Sequence, residues 1–156
     1  MEYGVGIVLR KLTQLTSSED TIIGFTCGAF DLLHAGHILM LEEAKANCDY
    51  LVVGLHTDPT LDRPEKNKPI QSLVERTIQL NAVKYVDQVV CYQTEAELLE
   101  LLQVVSPQVR IIGEDYREKN FTGKKWCFEN GVYIHFNSRQ HHFSTTELRT
   151  RIKKAK

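Results

Sequence analysis

The sequence predicts an α/β fold, an open parallel five-stranded sheet with helices on both faces. Three observations predict it. Short apolar runs alternate with longer helical patterns along the chain from residue 20 onward. One run, Leu51-Val52-Val53-Gly54-Leu55, is apolar without alternation, as a strand covered on both faces must be. Polar segments bearing His, Asp, Lys, Arg or Ser follow the apolar runs, which suits loops gathered along one edge of one sheet.

The elements follow in order. Residues 1–19 are expected to form an N-terminal extension that packs on the domain or on a partner subunit, and residues 20–156 form the domain. Residues 21–27 predict the first strand, and the glycine-bearing turn after it opens a helix over 36–47. Residues 50–55 predict the second strand, and 56–70 a polar, lysine-bearing loop. Ser72 with Glu75 three residues on has the form of a capping box, opening a helix to about residue 83. Residues 86–91 predict a third strand and 95–105 a helix stopped by Pro107. Residues 109–112 predict a fourth strand, 114–122 a polar loop, and 123–130 a helix closed by Gly131. Residues 132–136 predict the fifth strand and 144–154 the last helix, capped by Ser144 or Thr145 with Glu147 near the third position. Strands separated by helices imply right-handed crossovers and a doubly wound, Rossmann-like sheet. Ligands of such sheets bind at the carboxyl ends of the strands.

Composition narrows the function. The chain is 42% apolar and 25% charged, as a globular domain should be. Its net charge of −1 argues against a nucleic-acid binder, which needs a strongly basic face. No run of eighteen apolar residues predicts a membrane span, and the acidic, glycine-interrupted start lacks signal-peptide form, so a cytoplasmic protein is expected. Cys27, Cys48, Cys91 and Cys127 form no CxxC pair, so neither a zinc knuckle nor a redox dithiol is expected, and no protein metal site.

The stretch from Gly28 to His37 carries the chemistry. A strand, a tight turn and a helix start leave backbone N–H groups unpaired, and such a terminus attracts anions. His34 and His37, three apart, bracket that helix start on one face. This predicts a phosphate site that holds a nucleoside triphosphate while it reacts. Plain readings compete elsewhere: a solvated loop for Lys66 and Lys68, a turn cap for Asp115, a solvated pair for His141 and His142.

Three motifs then carry a resemblance. Gly28-x-Phe30-Asp31-x-x-His34-x-Gly36-His37 resembles the signature of the HxGH nucleotidyltransferases. Ile112-Gly113-Glu114-Asp115-Tyr116 is similar to their turn after strand four. Arg139 followed by Ser144-Thr145-Thr146 is similar to the arginine-containing Ser-Thr-Thr element that opens their last helix. The resemblance runs from about residue 22 to 152 and is closest to the glycerol-3-phosphate type of cytidylyltransferase. Leu32-Leu33, Tyr85-Val86-Asp87 and Arg139 favour that type. Two features depart from it: His141-His142 replaces a Glu-Gly pair near the acceptor pocket, and the loop around Lys66 and Lys68 aligns only with a gap.

The resemblance implies transfer of CMP from CTP to a small phosphorylated alcohol, such as glycerol 3-phosphate, with release of pyrophosphate. The alternative it leaves open is an adenylyltransferase using ATP on a sugar phosphate or flavin mononucleotide. It implies catalytic roles for His34, His37, Lys66, Lys68 and Arg139. Nucleotide binding falls to Gly28, Ala29, Phe30, Asp31, Gly36, Gly113, Asp115, Ser144, Thr145 and Thr146, with Asp115 reading the base amino group. Asp58, Arg76, His141 and His142 are candidate acceptor contacts. Mg²⁺ is expected with the triphosphate, held by phosphates and water with Asp31 as a candidate ligand. The resemblance also implies a homodimer, with no nucleic-acid or membrane partner.

Overall fold

The computed structural model describes residues 20–155. The expected extension over residues 1–19 lies outside the described residues. Five strands form one sheet: β1 (Ile23–Gly28), β2 (Tyr50–His56), β3 (Gln88–Tyr92), β4 (Val109–Gly113) and β5 (Tyr133–Asn137). All pairings are parallel and the spatial order is β3-β2-β1-β4-β5. The helices between them are α1 (Ala35–Ala46), α2 (Leu73–Asn81), α3 (Glu95–Val105) and α4 (Lys124–Glu129), and α5 (Thr145–Lys154) follows β5. The predicted fold class therefore stands.

Two apolar layers sandwich the sheet. On one face Leu51, Val53, Leu55 and Ile111 pack with Leu41 and Ala44 of α1 and Leu80 of α2. On the other Phe25, Val52 and Tyr92 pack with Leu98, Leu101, Leu102 and Val105 of α3. β2 is buried from Leu51 to His56, which is why its sequence shows no alternation.

The boundaries differ from prediction for local reasons. β1 starts at Ile23 rather than residue 21, because Asp49 takes over Ile22: its carboxylate accepts the Ile22 N–H at 2.8 Å. The two predicted loops each hold a single 3-10 turn, Pro59–Leu61 and Glu114–Tyr116. Ser72 and Glu75 make the expected capping box at the start of α2. Asn130 is the cap of α4, and Gly131 follows in the left-handed conformation at φ 67°.

The site is positioned by one feature of register. β1 pairs with β2 over six residues, from Ile23↔Tyr50 to Gly28↔Leu55. It pairs with β4 only at Gly24↔Val109 and Phe25↔Arg110. Beyond that point the two strands part. This is also where the chain order reverses direction across the sheet, the place where doubly wound sheets open a crevice.

Candidate active site

The turn after β1 is held in a shape that few residues adopt freely. Phe30 and Leu32 both have positive φ, 47° and 51°. Asp31 fixes them. Its two carboxylate oxygens accept the N–H groups of Ile70 and Gln71, each at 2.9 Å, and Arg149 Nη2 at 2.8 Å. The Leu32 N–H donates in turn to Gln71 Oε1 at 2.7 Å. Burial pushes the Asp31 carboxyl up, but the two N–H donors and Arg149 outweigh it and hold the acid below its ordinary range.

This corrects one expectation. Asp31 is 6% exposed, and its oxygens are committed to two amides and a guanidinium. A carboxylate so engaged, with a cation beside it, is not a Mg²⁺ ligand. Among the described residues there is no group of three or more His, Cys, Asp or Glu fit to hold a metal ion.

His34 and His37 cap α1 with their own rings. The Gly36 N–H donates to His34 Nδ1 at 3.1 Å, and the His34 N–H donates to His37 Nδ1 at 3.3 Å. Both Nδ1 atoms therefore accept, and each ring carries its proton on Nε2. The rings stack with centroids 3.9 Å apart, and Phe30 lies against His37 at 5.4 Å. Burial and the neighbouring His34 push His37 down to about 3, against the pull of Asp31. Burial, then His141 and Arg139, lower His34 as well. Two neutral imidazoles thus present Nε2–H donors at a helix N-terminus.

Gly36 has no room for a side chain. A Cβ there would stand 2.9 Å from His141 Cε1, 2.9 Å from the Phe143 carbonyl and 3.0 Å from His34 Cε1. The glycine of the motif thus lets the segment before α5 close over the start of α1. Thr145 Oγ1 then lies 3.2 Å from His34 Nε2, so the two helix starts meet. Ser144 caps α5 by accepting the Glu147 N–H at 3.1 Å.

Two adjoining cavities open here. The smaller, about 350 Å³, lies between the helix starts and is lined by His34, Gly36, Arg139, His141 and Ser144 to Thr146. The larger, about 790 Å³, lies where β1 and β4 part and is lined by Gly28, Ala29, Phe30 and Lys66 among others. His37, Met40, Gly113 and Asp115 line both. A side chain at Gly113 would meet Asp115, whose Oδ1 would stand 2.6 Å from its Cβ, so it would displace that carboxylate.

The structure leaves some predicted residues out. Lys68 and His142 are exposed and line neither cavity; the Lys68 carbonyl instead accepts from Arg149 Nη2 at 3.2 Å. Asp58 caps the turn at Pro59–Leu61 by accepting the Thr60 N–H at 3.0 Å, and it too lines neither cavity. Arg76 is 2% exposed and donates to the carbonyls of Gln71, Ala29, His56 and Thr57. Its guanidinium clamps the loops after β1 and β2 together, which replaces the acceptor-binding reading.

Sequence reasoning missed Gln71, Arg149 and Arg110. Arg149 had a readable signal: it stands four residues after Thr145, one turn along the same helix face. Arg110 had one too, as a charge inside the apolar run Val109-Arg110-Ile111-Ile112. Gln71 carries no signal in sequence.

The sequence family described as cytidylyltransferase-like matches residues 25–151, across both helix starts and all five strands but the first two residues of β1. The chain belongs to that family. It is 35% identical over 147 residues to the bifunctional protein HldE of Helicobacter pylori, covering 94% of this chain and 31% of that protein. The HldE of Acidiphilium cryptum is 40% identical over 104 residues, covering 66% of this chain and 21% of the relative. The chain thus spans about a third or less of the curated relatives it matches. A lipopolysaccharide core biosynthesis protein from Thermoplasma volcanium superimposes with a TM-score of 0.65 at 27% identity, covering 78% of this chain and 99% of that one. Pantoate-beta-alanine ligase from Francisella tularensis shares the fold at 18% identity and a TM-score of 0.60, covering 93% of this chain and 75% of that one. No described helix is long and apolar enough to cross a membrane.

Proposed function

We propose that this domain transfers AMP from ATP to a phosphate oxygen of a sugar phosphate and releases pyrophosphate. The observation that carries nucleotidyl transfer is the meeting of two helix starts, with Thr145 Oγ1 3.2 Å from His34 Nε2 and both residues lining the smaller cavity. Two N-termini and two Nε2–H donors favour an extended polyphosphate between them. The HldE relatives favour an adenylyl over a cytidylyl donor. The lipopolysaccharide core protein points to a sugar-bearing acceptor.

In this reading an acceptor phosphate oxygen attacks the α-phosphorus of ATP. A new P–O bond forms as the bond to the β-phosphate oxygen breaks, and pyrophosphate leaves with the electron pair. The triphosphate enters as its magnesium complex, so the metal arrives as part of the substrate. His34 and His37 donate to the α-phosphate oxygens. Ser144, Thr145 and the first N–H groups of α5 hold the outgoing phosphates, with Arg139 across them. Asp115 accepts from the base amino group, which adenine offers as well as cytosine. Catalysis here is placement and charge stabilisation.

A second reading keeps CTP and a glycerol 3-phosphate-like alcohol. Arg139, five residues before Ser144, favours it, as does the family's cytidylyltransferase-like character.

The test offers the protein ATP or CTP with Mg²⁺ and a panel of sugar phosphates, flavin mononucleotide and phosphorylated alcohols, and follows pyrophosphate. Turnover with ATP and a sugar phosphate is expected. Turnover only with CTP restores the second reading, and turnover with neither overturns nucleotidyl transfer.

A further inference from the structure

Arg110 has no part in the chemistry above. It is 2% exposed, in the interior of β4. Its Nε and Nη1 make no hydrogen bond among the described residues. Nη2 has only the Cys27 sulfur, at 3.4 Å, and the guanidinium lies over the Phe25 ring at 5.0 Å. A sulfur and a ring face do not replace the hydrogen bonds water would give a guanidinium. A buried charge left this way is costly unless something completes it.

Its place in the fold says what could complete it. Arg110 and Phe25 are the last paired residues of β4 and β1 before the strands part. Arg110 lines the larger cavity, with Tyr92 and Leu98 on the same side of the sheet. Two carboxylates line this cavity. Glu95 pairs with Arg63 at 3.0 Å and accepts from Thr122 Oγ1, and Asp115 lines the smaller cavity as well; among the described residues neither forms an ion pair with Arg110. Arg110, buried, is thus a positive charge with no ion-pair partner among the described residues, in a cavity that His37 and exposed Lys66 also line.

We propose that Arg110 binds a carboxylate of the acceptor, so that the acceptor is a phosphorylated sugar acid. The inference rests on the reading above, in which the reacting phosphate lies at His34 and His37. A carboxylate is favoured over a second phosphate because its single charge matches one guanidinium, and its two oxygens match the guanidinium fork. The acceptor then spans the cavity from its phosphate at His37 to its carboxylate at Arg110.

The test compares phosphorylated aldonates of three to six carbons with phosphorylated alditols of the same lengths, from 3-phosphoglycerate against glycerol 3-phosphate to 6-phosphogluconate against glucitol 6-phosphate. Sugar bisphosphates form a third arm. Binding is measured by calorimetry on the intact chain, so it does not depend on turnover. At one length or more the aldonate binds at least about tenfold more tightly than its alditol. Arg110→Met abolishes that difference and leaves ATP affinity unchanged. The ligand-free melting temperature of Arg110→Met equals or exceeds that of the parent, because an uncompensated buried charge has gone. No aldonate preference at any length overturns the inference. So does a preference that survives Arg110→Met, a bisphosphate that outcompetes every aldonate, or a lowered melting temperature. Loss of ATP binding by the parent chain overturns the underlying function instead.

Discussion

Under the proposed function, His37 serves fold and chemistry together. Its Nδ1 accepts the His34 N–H, and burial keeps the ring neutral to about 3. The unfolded chain takes up that proton near 6.5, so its contribution is complete above pH 6.5 and is lost as pH falls toward 3. The slope is about 1.4 kcal/mol per pH unit in that window. Urea unfolding of His37→Gln between pH 4.5 and 6.5 should show a shallower pH dependence than the parent. The same variant should lose about a hundredfold in turnover, because an oriented donor to the transferring phosphate has gone. Asp31 makes a second prediction. Asp31→Ala strips the acceptor from two buried amides and Arg149, and should cost about 3 kcal/mol in chemical denaturation. A role confined to holding Mg²⁺ would leave stability unchanged.

Helix caps and loop clamps decide the site at the level of elements. α1 and α5 each begin with a side-chain cap, and those caps are also the groups that face the smaller cavity. Ser144→Ala should destabilise the domain by about 1 kcal/mol and weaken nucleotide binding, measured by denaturation and by ATP titration. Arg76 acts between elements, donating to four carbonyls, of Ala29 after β1 and of His56, Thr57 and Gln71 at the end of β2 and in the loop that follows it. Arg76→Ala should lower stability by at least about 3 kcal/mol, whereas an acceptor contact at the surface would leave the melting curve in place. The Ser72–Glu75 capping box and the Ser144 cap were legible because they depend on residues three apart in one chain segment, whereas the imidazole cap of His34 and His37 was not. Nor was the clamp. Arg76 looks in sequence like any helix-surface arginine, since its partners lie up to 47 residues away.

The molecule as a whole works through a sheet that is continuous on one side of β1 and split on the other. Six residue pairs join β1 to β2, and two join it to β4. The split makes the larger cavity, and the closure of α5 over α1 makes the smaller one beside it. Ligand that binds only the folded chain stabilises it by about 2.7 kcal/mol at a hundred times its dissociation constant. Under the ATP reading, magnesium ATP should therefore raise the melting temperature more than CTP at equal concentration. Equal shifts would remove the nucleotide preference proposed above.

The sequence by itself determined the α/β order, the five strands and the two helix starts that face the smaller cavity. These rest on periodicity, caps and motifs, which are written in short segments. It also placed the family, through three motifs in the right order. Only the tertiary structure decided what each charged side chain does. It took Asp31 from metal binding to holding a strained turn, and Arg76 from the acceptor to a loop clamp. It left Arg110 charged and short of partners where β1 and β4 part. Those outcomes depend on which distant backbone groups come within hydrogen-bond reach, and on how far burial isolates a charge from water. Neither quantity is carried by residue order alone.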